Sequence, residues 1–379
     1  MKNSSFLESK TLLLINTGSI KKRFILQKLK KIGIQIIVVH KEKNWASPYV
    51  KDWILADTYN HTEVIQSIHH YLIHHKEIHF DGVITFWEDD VILQSKICEE
   101  FNLIGNSVET ATNTRDKLVM QDIFQRTRQN AILQILLQKK EDLKIAIDTI
   151  GFPAVIKPVL GADSEFVVMV KDAEEAYEAY EYLVKNCTPR FNPIFITNKG
   201  QFLYQEYIEG PEFSVEAYSQ FGVPHIVGIH EKTAMSLPFF METGDYIPPR
   251  IDEKYIQAIT KASEAALIVL GVKDGLSHIE LKLTKSGIKI IEVASRMGGD
   301  YTYRTIKEAY GVDLIKTGID IALGMPVFDV KKELSKYIQG KFFIPKQSGI
   351  ITKLNGFTAL KKEKKYSIFN CIKKLVIVF

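Results

Sequence analysis

The sequence predicts an α/β protein of two or three domains that opens with a doubly wound parallel sheet. Three observations predict it: short apolar runs alternate with helical patterns over residues 11 to about 106, 46% of the 379 residues are hydrophobic, and a β-hairpin bearing two glutamates lies between His278 and Ala294. A chain of this length exceeds one ordinary core. Its 49 basic and 45 acidic residues are spread along the whole length, so no basic domain or tail marks a nucleic-acid partner. Cys98, Cys187 and Cys371 are widely spaced and form no CxxC pair, which argues against a disulfide framework and a zinc site and for a reducing compartment. Met1 to Lys10 is polar and has no signal-peptide layout, and no apolar stretch approaches ~20 residues. The expectation is a cytoplasmic protein without a membrane partner, with a homodimer left open as its assembly.

The run Thr11–Asn16, the helical pattern of Phe24, Ile25 and Leu29, and the run Ile34–Val39 form a β-α-β unit with buried parallel strands. Residues 56–58 read as the end of another strand, residues 62–75 as a helix, and Gly82–Thr85 as a strand. Gly18 belongs to no GxGxxG fingerprint, so a dinucleotide is not the expected ligand. Trp87-Glu88-Asp89-Asp90 follows a strand at the edge where parallel sheets bind ligands. Glu88 or Asp89 there could receive an ammonium group, or the acids could simply complement a helix dipole. His69, His70, His74, His75 and His79 have no acidic or cysteine ligands in pattern and read as a solvated helix face.

Thr114-Arg115-Asp116-Lys117 is expected to open a helix. Gly151–Pro158 reads as a strand presenting Lys157, followed by the small-residue loop Gly161–Phe166 and a returning strand over 167–170. Such a loop can cover phosphates with backbone N–H groups while the lysine supplies a point charge. Residues 172–185 form a helix, 205–217 a strand that turns at Gly210-Pro211 and resumes, and 253–270 another helix. Helices follow after Asp300 and over 314–323. Strands are expected near 342–345, 349–352 and 373–379, with a basic loop at 361–365.

The hairpin carries the most chemistry. Glu280 and Glu292 share parity, so a plausible register brings both carboxylates to one face. Paired carboxylates repel unless a cation sits between them, and hard oxygen ligands suit Mg²⁺. Arg296, just before Gly298-Gly299, is placed to hold a carboxylate or phosphate, with the glycine backbone allowing close approach. Taken alone, the hairpin also fits a solvent-facing ribbon with its acids on the wet side.

As an ordered set over about residues 11–326, these pieces resemble the ATP-grasp superfamily, most closely its carboxylate-amine ligase branch, which includes bacterial L-amino acid ligases. The resemblance implies a pre-ATP-grasp α/β domain over 1–110, an ATP-grasp domain over 111–330 with a lid at about 127–203, and a C-terminal segment, 331–379, short for the branch. It implies that Lys117 and Lys157 hold ATP phosphates under the lid loop, that Gln205, Glu206, Tyr207 and Ile208 contact adenine, and that Glu212 meets the ribose. Glu280 and Glu292 would bind Mg²⁺ (or Mn²⁺), and Arg296 would steady an acyl phosphate. Two departures stand out: Ala294 replaces an asparagine common in the family, and Asp245 in Phe240–Asp245 stands where a histidine is usual. Glu242 and Asp245 join Glu88 and Asp89 as candidate contacts to an amino group.

The expected activity is ATP-dependent joining of a small carboxylate, such as an amino acid, to an amine through an acyl phosphate. The competing expectations are an ATP-binding protein that has lost catalysis and a carboxylase of the biotin carboxylase type.

Overall fold

Alternation along the N-terminal strands sends successive side chains to opposite faces, and both faces are covered. The computed structural model describes residues 7–198, 200–235, 237–327 and 333–342. Residues to Gly340 form one compact unit and Lys341–Phe379 a second. The parallel sheet comprises β1 (Thr11–Ile15), β2 (Gln35–His40), β3 (Asp52–Leu55) and β4 (Gly82–Thr85), in the order β3-β2-β1-β4. Leu12 and Leu14 pack toward helix α1 (Arg23–Ile32), whereas Leu13 and Ile15 face α2 (His61–His74) and α3 (Val91–Glu100). Strand β3 ends just before the residues 56–58 expected to close it.

Two helices, not one, connect this sheet to the rest of the chain. Helix α4 (Val108–Arg115) ends where a single helix was expected to begin, and Asp116 then caps α5 (Lys117–Arg126) by accepting from Leu118 N and Val119 N. The side-chain oxygen of an N-cap meets donors that the first turn leaves unpaired. A four-stranded antiparallel sheet follows: β5 (Gln134–Leu137), β6 (Ala154–Pro158), β7 (Val168–Val170) and β8 (Phe202–Glu206), in the order β5-β8-β6-β7. Helices α6 (Asp142–Ile150) and α7 (Ala173–Asn186) complete a separate core around Leu143, Ile156, Leu183 and Tyr204. We call this layer the lid.

The stretch 205–217, read as one interrupted strand, instead crosses between sheets. Its first part is β8 of the lid, and beyond Gly210-Pro211 it becomes β9 (Glu212–Gln220) of a six-stranded sheet. That sheet adds β10 (Val223–Lys232), β11 (Gly244–Ile247), β12 (Gly275–Thr284), β13 (Gly287–Ala294) and β14 (Ile338–Lys341), in the order β13-β12-β9-β10-β11-β14. Helix α8 (Glu253–Leu270) backs one face, and α9 (Thr302–Tyr310) and α10 (Leu314–Ala322) lie on the other. The strands expected near 349–352 and 373–379 and the loop at 361–365 fall outside the described residues; Phe342 lies just past β14, and the rest of its expected strand is also outside them.

His69 pairs with Glu100 at 2.7 Å, His74 bonds His70 O at 2.8 Å, and His79 lies 3.3 Å from Asp81. Among the described residues no three His, Cys, Asp or Glu side chains converge as a metal group. Past β4 the chain folds over Trp87–Asp90 into α3, and Asp90 is only 3% exposed there, accepting from Asn16 Nδ2 at 3.0 Å. Burial pushes its carboxyl from 3.8 up to about 6, a difference worth about 3 kcal/mol between protonation states. The folded form therefore keeps this proton at pH values where the unfolded form has lost it, and stability falls as pH rises from about 4 to about 6. Asp90→Asn is expected to stabilise the protein by up to about 3 kcal/mol at pH 7 and to change little below pH 4. Urea unfolding at both pH values checks this, and an equal difference at the two would refute it.

Candidate active site

One face of the six-stranded sheet is apolar and the other carries charge. Phe213, Val215, Ala217, Ile279 and Leu281 bury against Met120 and Phe124 of α5 and Ile259, Leu267 and Leu270 of α8. The alternate residues Glu212, Ser214, Glu216, His278, Glu280 and Lys282 fall on the opposite face. Glu280 and Glu292 are direct partners in the β12–β13 register, with a bulge immediately after Glu280. Bulges re-aim side chains and are frequent beside active sites.

Each glutamate meets a lysine. Lys117 Nζ lies 2.9 Å from Glu292 Oε1 and donates to Gly161 O of the lid loop at 3.1 Å. Lys232 Nζ lies 2.8 Å from Glu280, 3.1 Å from Glu212 and 2.6 Å from Glu242. Burial alone would raise both carboxyls, but Lys232 holds Glu280 well below the usual range and Lys117 holds Glu292 below it, so both stay ionised. Lys157 is 4% exposed, and burial together with the Lys117 charge lowers it to about 8.

Arg296 closes the site against the N-terminal sheet. Its Nε lies 2.6 Å from Glu88 Oε2, and its Nη1 donates to Met297 O at 2.9 Å. Asp89 receives Arg115 Nη2 at 2.6 Å and the Tyr59 hydroxyl at 3.0 Å. Glu88 and Asp89, the two acids expected to meet an ammonium group, are therefore engaged by guanidinium groups of the chain itself. Arg115, 2% exposed, also donates to Gly161 O at 2.9 Å and so ties the lid loop to the sheet beneath.

The expected hinge residues line the crossing between lid and base. Gln205 Nε2 donates to Gln134, Glu206 accepts from Leu133 N at 2.8 Å, Ile208 O accepts from Lys282 Nζ at 3.0 Å, and that ammonium stands 5.0 Å from the Tyr207 ring centroid. Glu212 sits between Lys232 and Lys282, the latter at 3.7 Å. Asp245 accepts from Gly340 N at 3.1 Å. Gly298 is needed for a reason other than substrate approach: a Cβ there would lie 2.2 Å from Glu216 Oε1 and 2.7 Å from His278 Nδ1. Gly299 has nothing within 4 Å of that position.

Sequence reasoning missed Lys232, Arg115 and the Glu216–His278 pair. Glu216 Oε1 lies 2.5 Å from His278 Nδ1, and its other oxygen accepts from Gly298 N at 3.1 Å. Burial opposes charge on His278, but Glu216 and then Glu280 lift it to about 9. Alternation along β12 puts His278 on the same face as Glu280, and that was the available signal; the β9 register then sets Glu216 opposite His278. Lys232 and Arg115 gave no local signal.

The donors suit a divalent cation of the hard class. Glu280 and Glu292 supply carboxylate oxygens kept ionised on one face, and Mg²⁺ typically takes one or two carboxylates and completes its shell with water and phosphate.

A strand-built base, an antiparallel lid and a charged cleft between them match known families. An ATP-grasp domain model matches residues 150–304, and an ATP-grasp N-terminal domain model matches 26–104. The chain belongs to the ATP-grasp superfamily. It is 25% identical over 332 residues to human carnosine synthase 1, aligning 84% of this chain with 40% of that one. It is 28% identical over 254 residues to alanine–anticapsin ligase of Bacillus subtilis strain 168, aligning 64% of this chain with 53% of that one. The chain thus spans about half or less of the length of these relatives. The L-amino acid ligase structure from Bacillus licheniformis shares the fold, with a TM-score of 0.82, 23% identity, and coverage of 98% of this chain and 90% of that chain.

Proposed function

We propose that the protein is an ATP-dependent carboxylate-amine ligase acting on small molecules, amino acids among them, with release of ADP and phosphate. The observation that carries this reading is the pairing of Glu280 with Glu292 beside Lys117 under the lid loop, with Arg296 near enough for the Glu292 charge to act on it. Similarity to carnosine synthase 1 and alanine–anticapsin ligase supports it.

A substrate carboxylate oxygen attacks the terminal phosphorus of ATP, the bond to the bridging oxygen breaks, and ADP leaves. The amine nitrogen then attacks the acyl carbon, phosphate departs, and one proton is released. The protein's contribution is alignment and charge neutralisation. Lys117 and Lys157 hold the phosphates so that an anionic carboxylate can approach. Bound between Glu280 and Glu292, Mg²⁺ would supply further charge neutralisation of the phosphates. Arg296 orients the carboxylate and stabilises the oxyanion formed at the acyl carbon. Gln205 to Ile208 and Glu212 face the nucleoside, and the lid loop keeps water from the acyl phosphate.

A second reading, nucleotide binding without turnover, is favoured by Ala294 and by the Asp245 carboxylate being engaged with Gly340 N. ADP release separates the two. Purified protein with Mg²⁺ is expected to release ADP only when a carboxylate and an amine are both supplied, in a pairwise screen of common amino acids. Nucleotide binding with no release from any pair would favour the second reading, and bicarbonate-dependent release would indicate a carboxylase. Among the described residues no helix is long and apolar enough to cross a membrane. A cytoplasmic setting, where ATP is supplied, fits this proposal.

A further inference from the structure

One lysine beside Arg296 takes no part in the proposed reaction and, among the described residues, in no ion pair. Lys22 follows the β1 turn, and its Nζ donates to Phe86 O at 3.1 Å and stands 3.9 Å from the Trp87 ring centroid. Trp87 is wedged: a Cβ on Gly18 would sit 1.7 Å from its Cζ2, and the Gly18 carbonyl accepts from Trp45 Nε1 at 3.1 Å. The next residue, Glu88, holds Arg296. Three consecutive residues after β4 thus carry two cations side by side, at the carboxyl edge of a parallel sheet where ligands bind.

Lys117, Lys232, Lys282, Arg115 and Arg296 each have a carboxylate within 4.0 Å. Among the described residues Lys22 has none. Lys22 is part-buried, and of the three donors its ammonium carries, Phe86 O takes one. Burial and the Arg296 charge lower Lys22 to about 8, which leaves it mostly protonated at neutral pH. Asp163 of the lid loop and Asp300 act on it from farther off, so acids surround the Lys22–Arg296 pair without contacting the Lys22 ammonium.

We propose that Lys22, seated on Trp87, binds a second, non-reacting carboxylate of the substrates while Arg296 holds the reacting one. The inference rests on the ligase reading and narrows its substrate class: one partner, the amine or the acyl donor, carries a free carboxylate that survives the reaction.

Lys22→Met, which keeps the stem, and Lys22→Arg, which keeps the charge, are compared with wild type. On the substrate pair that releases ADP, Lys22→Met is expected to raise KM for one partner at least ~10-fold, as losing a hydrogen bond to a charged group predicts, with kcat and KM for ATP within about twofold. Lys22→Arg recovers part of the loss. The carboxamide of that partner binds wild type and Lys22→Met alike, and the identity of the affected partner shows whose carboxylate is held. An unchanged KM, or equal losses for acid and amide, overturns the proposal. If no pair releases ADP the ligase reading fails, and calorimetry with ATP present decides the site alone, using succinate against succinamate and L-alanine against L-alaninamide. Uptake of a free acid by wild type and not by Lys22→Met sustains the site; uptake by both proteins or by neither overturns it.

Discussion

Arg296→Met is expected to slow ADP release by about 10²- to 10³-fold, the range seen when one preorganised donor to a developing oxyanion is removed. The same change strands Glu88, which is 5% exposed and whose one remaining ion-pair partner within 4.0 Å among the described residues would be Arg115 Nε at 3.9 Å. Removing one partner of a buried ion pair typically costs about 3–5 kcal/mol, so the variant also melts earlier. The double variant Arg296→Met/Glu88→Gln separates the two effects: it should regain much of the stability and none of the rate. Recovery of the rate in the double variant would mean that Arg296 only neutralises Glu88.

Lys232→Met should be the most destabilising single change in the site. Lys232 is the shared partner of Glu212, Glu242 and Glu280, and its own side chain is 6% exposed. Without it three carboxylates face one another, at a cost of about 3–5 kcal/mol. Burial opposes charge on Lys232, but the three glutamates raise its proton affinity well above the ordinary value, and Lys232 holds Glu280 well below the carboxylate range. The wild-type advantage is therefore full between the carboxylate range and the lysine range. It shrinks as pH falls through the range in which the acids take up protons. Urea unfolding from pH 7 downward should show a large difference that shrinks fully only as pH falls well below the ordinary carboxylate range, where Glu280 takes up its proton. Millimolar Mg²⁺ should stabilise the variant more than wild type, because a cation that binds the folded form alone adds stability by mass action. A difference independent of both pH and Mg²⁺ would contradict the arrangement.

The parts of this protein legible from sequence are those governed by near neighbours. Alternating apolar runs announced β1, β2 and β4, and the amphipathic spacing of Ile256, Ile259, Ala262 and Ala266 announced α8. Helix α4, strand β5 and helix α6 were not legible, being short and weakly patterned, with Gln134–Leu137 only four residues long. The crossing after Glu206 looked like a bend within one strand because Gly210-Pro211 marks a turn without saying which sheet receives the chain.

What the sequence by itself determined is that a hairpin carries one glutamate on each strand; the regular pairing from Thr284–Gly287 to Leu281–Ile290 would set Glu280 opposite Ile291, and the register shift after Glu280 brings Glu292 there instead. Only the tertiary structure decided which charges those acids and Arg296 would meet. Lys232 reaches Glu280 through neighbouring strands, Glu88 reaches Arg296 from another sheet, and Gly298 yields its side-chain space to Glu216 and His278. Burial requires each charge to find a partner, but the partner's place in the chain is set by how the layers stack, which no local spacing records.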